Sequence, residues 1–407
     1  MQSVSKYRMV DLISSISMGP FGSNIKTDCF VDSGVPVLNG SNLQGFKLNE
    51  DSFKYVSLEK ADSLGKANAY RGDVVVTHRG TLGQIVYIPN DSRFERYVIS
   101  QSQFRFVCNE KVLPEYITYY FHSKVGQHKL LANASQVGVP ALARATSTFK
   151  EIEVEIPPVS IQKQIVKILS SLDSKIEINN RINGCLEAHI KYHFSRFFGS
   201  NDGQSVKIGE LPVVVTDYVA NGSFASLKEN VTIFEEPDYA VFIRNTDLKS
   251  GSFKTYVDER AYHFLSKSTL FGGEIIVSNV GDIGSVFICP KLDKPMTLGN
   301  NIIMVKTKNA SLNHFLYCWL KWFGGQRAMQ GIATGSAVPK FNKTEFKGLQ
   351  LKLPAQMVLK KFETQVGQMF SMSENLQTEN KRLSILRDSI LPKLMSGEIN
   401  VDAIEIN

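Results

Sequence analysis

Basic and amide side chains in turn-rich stretches are the residues of this sequence that could do chemistry, and that chemistry is recognition of nucleic acid. Arginine, lysine, asparagine and histidine donate hydrogen bonds to base edges, and the cations among them also neutralise phosphate. The candidates in the first half of the chain are Lys26, His78, Arg79, Arg93, Arg96, Arg105 and Arg144. The candidates in the second half are Arg244, Lys249, Lys254, Lys267, Asn279, Arg327, Lys340 and Lys343. For each of them the competing interpretation is an ordinary solvated surface residue.

Arg79 and Arg144 are the strongest of these candidates. Each lies in a stretch that is rich in glycine, proline or alanine and has few acidic neighbours. A guanidinium group in such a loop can reach a base or a phosphate with two parallel hydrogen bonds. Pro114 to Leu131 is predicted to form one helix. Aromatic residues at helical spacing are interpreted as core rather than as platforms for base stacking, and they are Tyr116, Tyr119, Tyr120, Trp319 and Trp322.

Signatures of catalysis are missing from the sequence. It contains no Gly-x-Gly, no Gly-x-x-x-x-Gly-Lys-Ser/Thr and no His-Glu-x-x-His. Asp73 and Glu274 each follow a glycine at equivalent places, and we interpret them as turn residues. Cys185, His189 and His193 share the spacing of a helix face, but no second group of ligands accompanies them, so we expect no metal there. The sequence therefore predicts a binding protein rather than an enzyme.

The composition favours a cytoplasmic protein of two or more globular domains that binds an acidic partner. The chain has 407 residues, is 43% hydrophobic and carries a formal net charge of +7. Residues 20–150 hold 15 basic and 11 acidic side chains, and residues 205–355 hold 17 and 13, so both halves are positive. The 5 cysteines include no Cys-x-x-Cys pair, which favours reduced thiols. No apolar run approaches the roughly 18 residues of a membrane span, and the polar first residues do not resemble a signal peptide.

Two long stretches of the sequence are predicted to form helices that pack on each other. In residues 160–198 the apolar residues recur every three or four positions, at Ile165, Leu169, Leu172, Ile176, Leu186, Ile190 and Phe197. Residues 356–395 show the same spacing at Leu359, Phe362, Val366, Met369, Leu376, Leu383, Leu386, Ile390 and Leu394. Polar residues interrupt both seams and would fix their register, and they are Asn179, Asn183, Ser373 and Asn380. We predict an antiparallel pair, the alternative being two unrelated surface helices.

The segments that precede these helices repeat one plan at an interval of about 200 residues. Six matches occur in the same order along the chain, which chance does not supply. The matched segments are 36–43 with 241–248, 72–77 with 273–278, 80–83 with 281–284, 113–121 with 312–320, 139–140 with 338–339, and 152–157 with 349–354. The sequence therefore predicts a tandem duplication in which each globular segment leads into a long helix.

The predicted fold class is α+β, with two similar β-rich α/β domains separated by two long antiparallel coiled-coil helices and related by a pseudo-twofold axis. The predicted boundaries are 1–156 for the first recognition domain, 157–199 for a central helical spacer, 200–354 for the second recognition domain, and 355–407 for a C-terminal helical spacer and tail. Such a chain imitates a dimeric DNA reader, which places two recognition surfaces on two half-sites of a duplex. Because the two domains differ in sequence, the two half-sites should differ as well.

Several segments resemble the specificity subunits of Type I restriction-modification systems. The most specific match is Leu386 to Ile399, which reads LRDSILPKLMSGEI and is similar to the ending of that family. Gly19 to Lys26 resembles the opening of one class of its target-recognition domains, and Arg79 to Gly83 resembles a later strand-turn. The second domain departs from this opening, with Ala220 to Phe224 in its place. The family's usual Glu-Gln pair at the start of the first helix is Lys163-Gln164 here.

The resemblance implies a subunit that has no catalytic activity and binds a bipartite, asymmetric DNA sequence, one half-site per domain, with the helices setting the spacing. It implies double-stranded DNA, two methyltransferase subunits and further endonuclease/translocase subunits as partners, and no membrane. S-adenosylmethionine, ATP and magnesium would be bound by those partner subunits and not by this chain. The exposed faces of the helices and of residues 389–399 would be the docking surfaces.

Three other functions are compatible with the sequence. A stand-alone two-domain DNA-binding regulator would bind its site tightly without methyltransferase partners. A single-chain methyltransferase or nuclease would modify or cut DNA alone. A scaffold that binds only proteins would lack the steep salt dependence that phosphate contacts give to DNA binding.

Overall fold

Two long helices are shared by the two units into which the chain divides. The structure is a computed structural model that describes residues 4–20, 24–135, 138–199 and 202–401. Unit 1 comprises Met1–Ile178 and Glu379–Asn407, and unit 2 comprises Asn179–Thr378. Each unit therefore contains one half of each long helix.

Unit 1 combines two larger sheets with short helices. Its strands are β1 (Ser5–Arg8), β2 (Ile13–Met18), β3 (Phe30–Val31), β4 (Val35–Val37), β5 (Lys54–Val56), β6 (Asn68–Tyr70), β7 (Asp73–Thr77), β8 (Ile85–Tyr87), β9 (Arg96–Val98), β10 (Gln103–Cys108), β11 (Ala134–Ser135), β12 (Ala141–Leu142) and β13 (Glu153–Ile156). Its helices are α1 (Leu58–Ser63), α2 (Pro114–His122), α3 (Lys124–Leu131), α4 (Ala145–Lys150), the first half of α5 (Val159–Phe198) and the second half of the other long helix, Gln356–Met395. The strand orders of its sheets are β2-β10-β7-β8, β3-β5-β4-β9-β6, β1-β13 and β11-β12.

Unit 2 repeats this arrangement. Its strands are β14 (Gln204–Lys207), β15 (Val214–Asp217), β16 (Ala240–Ile243), β17 (Tyr256–Val257), β18 (Thr269–Leu270), β19 (Ile275–Ser278), β20 (Val286–Ile288), β21 (Met296–Leu298), β22 (Ile302–Lys306) and β23 (Gln350–Leu353). Its helices are the second half of α5, then α6 (Phe224–Asn230), α7 (Asn245–Ser250), α8 (Glu259–Phe264), α9 (Ala310–Trp322), α10 (Gly324–Ile332), α11 (Lys343–Lys347) and the first half of α12 (Gln356–Met395). The strand orders are β15-β22-β19-β20, β17-β16-β21-β18 and β14-β23.

The two units share one sheet topology, which confirms the predicted pair of similar domains. The order β2-β10-β7-β8 in unit 1 corresponds to β15-β22-β19-β20 in unit 2, and both sheets are antiparallel throughout. The second sheet of each unit contains a parallel pair at the same place, β4 with β9 and β16 with β21. Six sequence matches were therefore enough to identify two copies of one fold.

The central strand of each unit is buried along its whole length and apolar in its middle, because both of its faces are covered. In unit 1, Val74 and Val76 of β7 face a core that also contains residues of α2, whereas Val75 faces a second core. In unit 2, Ile275 and Ile276 of β19 divide between two cores in the same way. A strand buried on both sides holds its two ends rigidly, and the turn that follows it is correspondingly well placed.

The two long helices pack in opposite chain directions, as predicted. In unit 1 the start of α5 lies against the end of α12: Asp173 contacts Arg387 at 2.7 Å, and Lys175 lies 3.7 Å from Glu379. In unit 2 the end of α5 lies against the start of α12, where the ring centroids of Phe194 and Phe362 are 5.8 Å apart. Each helix has 40 residues, and at about 1.5 Å per residue such a helix is roughly 60 Å long.

The seam between the helices is apolar at most of the positions predicted from the sequence pattern. Leu386 is an exception, since it was predicted to lie in the seam but is 47% exposed, whereas Leu391, outside the predicted set, is buried. Ile165 and Leu169 of α5 are fully buried in unit 1, with Leu391 and Leu394 of α12 in the same core. The polar seam residue Asn179 is also fully buried, as expected of a residue that fixes register.

The start of α5 is held by Gln162, a buried side chain that the pattern did not single out. Its amide donates to the carbonyls of Lys111 and Pro157, both at 2.9 Å.

The stretch predicted as one helix from Pro114 to Leu131 is two helices, α2 and α3. The chain leaves helical geometry at Ser123, where φ is −67° and ψ is 158°. The Ser123 hydroxyl accepts a hydrogen bond from the Gly126 N–H at 3.1 Å and so begins the second helix. The apolar periodicity continued across this break, which is why the pattern did not reveal it.

Candidate nucleic-acid interface

In unit 1 a turn and a distant loop meet at the end of the central strand β7. The N–H of Gly80 donates to the carbonyl of Pro140 at 2.8 Å, and Arg79 faces Ala141 across an isolated β-bridge. Gly80 has a φ of 90°, a left-handed backbone that glycine adopts without strain. The segments that form this surface, called here the unit 1 turn surface, are residues 78–83 and 138–144.

Unit 2 builds the same arrangement after its central strand β19. The N–H of Gly281 donates to the carbonyl of Pro339 at 2.8 Å, and Val280 faces Lys340 across a β-bridge. The segments of this surface, called the unit 2 turn surface, are residues 279–284 and 338–343. The matching hydrogen bonds show that the fold, and not one particular sequence, brings the turn and the loop together in each unit.

Arg79 and Arg144, the two strongest sequence candidates, both belong to the unit 1 turn surface and are exposed. Arg144 has a φ of 46° and a ψ of 49°, in the left-handed region. This conformation costs a non-glycine residue roughly 1–2 kcal/mol. The Thr148 hydroxyl donates to its carbonyl at 3.2 Å, at the start of α4. In the loop of unit 2, Lys340 is exposed and stands at the place of Ala141 in unit 1. Two separate stretches of sequence thus contribute cations to one surface.

Five of the candidate cations are held in ion pairs within the chain. They are Arg96 with Asp62, Arg105 with Asp73, Arg244 with Asp247, Lys249 with Asp282 and Lys343 with Asp217, at N–O distances from 2.6 to 2.9 Å. A cation in such a pair has part of its charge and some of its donors engaged by the carboxylate, and so offers less to a phosphate than an unpaired cation does. Arg105 is the clearest case, because its side chain is only 13% exposed and that of Asp73 only 5%.

The other candidate cations form no ion pair with residues that the structure describes, and all are exposed: Lys26, Arg79, Arg93, Arg144, Lys254, Lys267, Arg327 and Lys340. Lys26, Arg93 and Lys254 lie in loops beside the second sheet of their unit, Lys267 lies in a 3-10 helix (Ser266–Ser268), and Arg327 lies on α10. Of these eight cations, Arg79, Arg144 and Lys340 lie in the segments that define a turn surface. DNA contact by any of these residues stays a prediction.

His78 and Asn279 occupy equivalent places at the base of the two turns and are half-buried. A His78 ring nitrogen lies 3.2 Å from the carbonyl of Gln101, and burial lowers the pKa of His78. A neutral imidazole offers hydrogen bonds rather than a charge. The Asn279 side chain donates to the carbonyl of Phe341 at 2.7 Å and so ties the turn to its loop. Both residues therefore support the turn surfaces.

The unit 2 turn surface also carries a carboxylate, Asp282, where unit 1 has Thr81. Lys249 contacts Asp282 at 2.6 Å, and the hydroxyl of Ser285 donates to it at 2.6 Å. These hydrogen bonds, that from Lys249 first, lower the pKa of Asp282 to about 2. An ionised carboxylate accepts hydrogen bonds, for example from the amino group of cytosine. The two turn surfaces thus differ in charge.

Asp73 and Glu274 close tight turns before the central strands, as interpreted from the sequence. A carboxylate oxygen of Asp73 accepts the N–H of Tyr70 at 2.9 Å, and Glu274 accepts the N–H groups of Phe271 and Gly272 at 2.9 and 2.8 Å. These backbone hydrogen bonds give each carboxylate a structural role in its turn. Among the described residues no group of three or more histidine, cysteine or acidic side chains could hold a metal ion.

Arg105→Ala should destabilise unit 1 strongly, whereas Arg79→Ala should not. Removing Arg105 leaves Asp73 buried without its cation, a change that typically costs about 3 kcal/mol or more. Arg79 is exposed and has no such partner among the described residues, so its loss should change the free energy of unfolding by less than about 0.5 kcal/mol. Urea-induced unfolding of both variants measures the difference. Equal stability of the two variants would show that the Arg105–Asp73 pair does not hold the sheet.

Sequence reasoning missed the glutamines that hold the two turns, Gln127 and Gln326. Gln127 donates to the carbonyl of Gly83 at 2.9 Å, and Gln326 donates to that of Gly284 at 2.8 Å. A signal was present, because a Gly-Gln pair occurs at both places, 126–127 and 325–326, at the interval that relates α2 to α9. Glutamine on a polar helix face nevertheless gives no indication of what it contacts.

The family-like ending of the chain also has a structural role that the sequence did not show. Arg387 contacts Asp173 of α5 at 2.7 Å and lies 4.6 Å from the ring centroid of Phe46. The Tyr119 hydroxyl donates to the same carboxylate. Arg387 thus joins α12 to α5 and to α2 within unit 1. The opening segment Gly19 to Lys26 lies partly outside the described residues, because Phe21 to Ser23 are not among them.

Comparison with known proteins places this architecture in one family. A family model described as the Type I restriction modification DNA specificity domain matches residues 21–188 and 207–369, one match for each copy of the repeat. Within the described part of the chain, no helix is both long and apolar enough to cross a membrane.

Individual relatives cover most of the chain. The Type I restriction enzyme MjaIX specificity subunit of Methanocaldococcus jannaschii is 23% identical over 353 residues, which are 82% of this chain and 79% of the relative. The Type I restriction enzyme HindI specificity subunit of Haemophilus influenzae is 22% identical over 405 residues, covering 81% and 87%. The crystal structure of a Type I restriction-modification S subunit from M. genitalium has 15% identity, covers 97% of this chain and 96% of its own, and superposes with a TM-score of 0.56. That likeness shows a shared fold.

Proposed function

This chain belongs to the Type I restriction modification DNA specificity family, and we propose that it gives a Type I restriction-modification complex its bipartite DNA target. Each unit binds one half-site, and the turn surface of that unit is the part that contacts bases. The observation that carries the proposal is the duplicated turn surface, in which two copies of one fold present different side chains at equivalent places. Arg79 and Thr81 in unit 1 stand where Val280 and Asp282 stand in unit 2.

The unpaired cations supply the affinity that does not depend on sequence. Exposed lysine and arginine side chains neutralise phosphates and position the duplex, while the turn surfaces select bases. The ion-paired residues Arg96, Arg105, Arg244, Lys249 and Lys343 have mainly structural roles in this proposal. Asymmetry of the target follows from the different charges of the two turn surfaces.

The chain has no catalytic step of its own in this proposal. Two methyltransferase subunits and further endonuclease/translocase subunits bind it and carry out the chemistry, and S-adenosylmethionine, ATP and magnesium belong to those partners. The carboxylates equivalent in the repeat are used in backbone turns, which supports this division of labour.

The outer face of α12 is a docking surface for one of these partners in our proposal. Leu391 and Leu394 are 4% and 2% exposed and pack into unit 1, so they are not available to a partner. Ile385 and Leu386 are 60% and 47% exposed and lie one to two turns earlier. Apolar residues that stay exposed on a helix beside a polar rim are typical of a protein interface.

Incubation of the purified chain with DNA, S-adenosylmethionine and magnesium, with and without the host's methyltransferase subunits, tests the proposal. We expect no modified or cut DNA from the chain alone, and methylation of one bipartite motif when the methyltransferase subunits are present. Methylation-aware sequencing of the host genome with and without this gene identifies the motif. Turnover by the chain alone would contradict the proposal, and so would tight, specific binding that methyltransferase subunits leave unchanged.

A further inference from the structure

We propose that Gln127 and Gln326 are positioning residues, each of which holds the turn surface of its own unit in one geometry and thereby sets the selectivity of one half-site. This inference rests on the proposed function and deepens it. We call the two side chains the glutamine latches. They touch no base themselves and act through the turns that they hold.

Each latch uses both of its amide protons. The Gln127 amide nitrogen donates to the carbonyl of Gly83 at 2.9 Å and to that of Phe121 at 2.7 Å. The Gln326 amide nitrogen donates to the carbonyl of Gly284 at 2.8 Å and to that of Leu320 at 2.6 Å. One acceptor in each unit is the end of the turn. The other belongs to the last turn of α2 or α9, where carbonyls lack partners within the helix.

The turn glycines fit closely under these amides. Gly83 and Gly284 have φ values of 85° and 86°, in the region that favours glycine. A Cβ atom added to Gly83 would lie 2.5 Å from the side-chain oxygen of Gln127, and one added to Gly284 would lie 2.9 Å from that of Gln326. The amide therefore lies directly against the backbone of the turn, and a side chain there would displace it.

A second glycine in each unit brings the latch into reach. Gly126 and Gly325 directly precede the glutamines at the start of α3 and α10. A Cβ atom on Gly126 would lie 2.0 Å from the carbonyl oxygen of Tyr120, and one on Gly325 would lie 2.5 Å from the Cα of Leu320. Only glycine permits so close an approach of the second helix to the first. The same close packing in both units indicates that the position of the glutamine is a constraint on the fold.

Each glutamine latch holds one end of the turn, and the hydrogen bond between the turn and its loop holds the other end. In unit 1 the start of the turn is held by the bond from Gly80 to Pro140, and its end is held by Gln127. Selective contacts to base edges need donors and acceptors held in a narrow geometry. A turn released at one end could adapt to wrong bases, whereas phosphate contacts from exposed lysines would continue. Loss of the latch should therefore reduce discrimination more than affinity.

The test is base selectivity of each half-site in the complex with methyltransferase subunits, measured by competition between DNA libraries randomised in one half-site. Gln127→Met and Gln326→Met remove the donors and keep the length of the side chain. We expect each variant to lose about tenfold in discrimination in the half-site of its own unit and to leave the other half-site unchanged. Gln330→Met, on the exposed side of α10, is the matched control, and its complex should show the wild-type discrimination in both half-sites.

The outcomes separate this inference from the proposed function. A wild-type complex that shows no preference in either half-site overturns the proposed function. A selective wild-type complex with unchanged variants overturns the inference alone. Equal loss in both half-sites would show that the glutamines act only through overall stability. Thermal unfolding verifies that each variant is folded at the assay temperature. If a methionine variant is not folded, Gln127→Asn or Gln326→Asn replaces it, because the side-chain amide of asparagine is too short to reach the turn.

Discussion

Exchanging residues 204–353 for the equivalent segment of a relative with another target should replace one half of the recognised DNA sequence and leave the other half unchanged. The expected change is large, because specific sites are bound about a thousandfold or more tightly than others. Methylation-aware sequencing of DNA from cells that carry the exchanged chain and its methyltransferase subunits measures the new motif.

The fold supplies clean boundaries for this exchange. In unit 2 the first strand β14 pairs with the last strand β23, with Gln204 opposite Leu353. In unit 1 the first and last strands pair in the same way, with Ser5 opposite Ile156. The globular part of each unit therefore begins and ends at one place, and an exchange that includes both strands keeps the ladder intact.

Contacts between the exchanged segment and the long helices must be kept. Phe315 and Phe323 have ring centroids 5.6 and 4.6 Å from that of Phe194 in α5, and Lys321 contacts Glu187 at 2.8 Å. The relative that supplies the segment should therefore have aromatic residues at the positions of Phe315 and Phe323. Exchange of residues 5–156 is the matched control and should change only the other half of the motif. A change in both halves after either exchange would show that the units do not act independently.

Adding four residues to both long helices should lengthen the gap between the half-sites and leave the half-sites themselves unchanged. Four helical residues add about 6 Å, which corresponds to roughly two base pairs of duplex. The insertions belong after Ile178 in α5 and after Thr378 in α12, where each helix passes from one unit into the other. The contacts within each unit, such as Asp173 with Arg387, then stay in register.

Insertion into one helix alone is the informative comparison. Along the chain, α5 runs from unit 1 into unit 2 and α12 runs from unit 2 into unit 1. A longer α5 beside an unchanged α12 must therefore disturb the helix contacts of one unit. We expect either single insertion to abolish methylation of the original motif and the double insertion to restore methylation at a longer spacing. Replacing four exposed residues of the same segments by alanine keeps the length and should keep the spacing. An unchanged gap in the double insertion would refute the idea that the helices set the distance.

The long helices and the duplication were predictable because both are carried by local pattern. The first helix was predicted from residue 160 to residue 198 and is formed by Val159–Phe198. Polar residues in the apolar seam indicated pairing, and the buried Asn179 fits that role. The repeat needed only residues at fixed intervals, since two copies of one fold keep the same order of strands and turns.

Whether a candidate cation is held in an ion pair within the chain was not predictable from the sequence. Arg105 meets Asp73, and Lys343 meets Asp217, 126 positions earlier in the chain. Such pairs depend on strand register and on the direction of each side chain, neither of which a run of residues shows. The end of α2 at Ser123 was not predicted for a related reason, because a serine within an apolar periodic stretch does not by itself indicate a helix end.

By itself the sequence determined the kind of protein: two copies of one β-rich domain, two long helices that pair, and a family ending. Local periodicity and repetition carry that information, because each residue in a helix or strand responds mainly to its neighbours in the chain. The tertiary structure decided which cations are engaged in ion pairs, which are exposed beside a turn, and which glutamines hold that turn. Those properties arise between residues far apart in sequence, and they exist only after the strands have taken their places in the sheet.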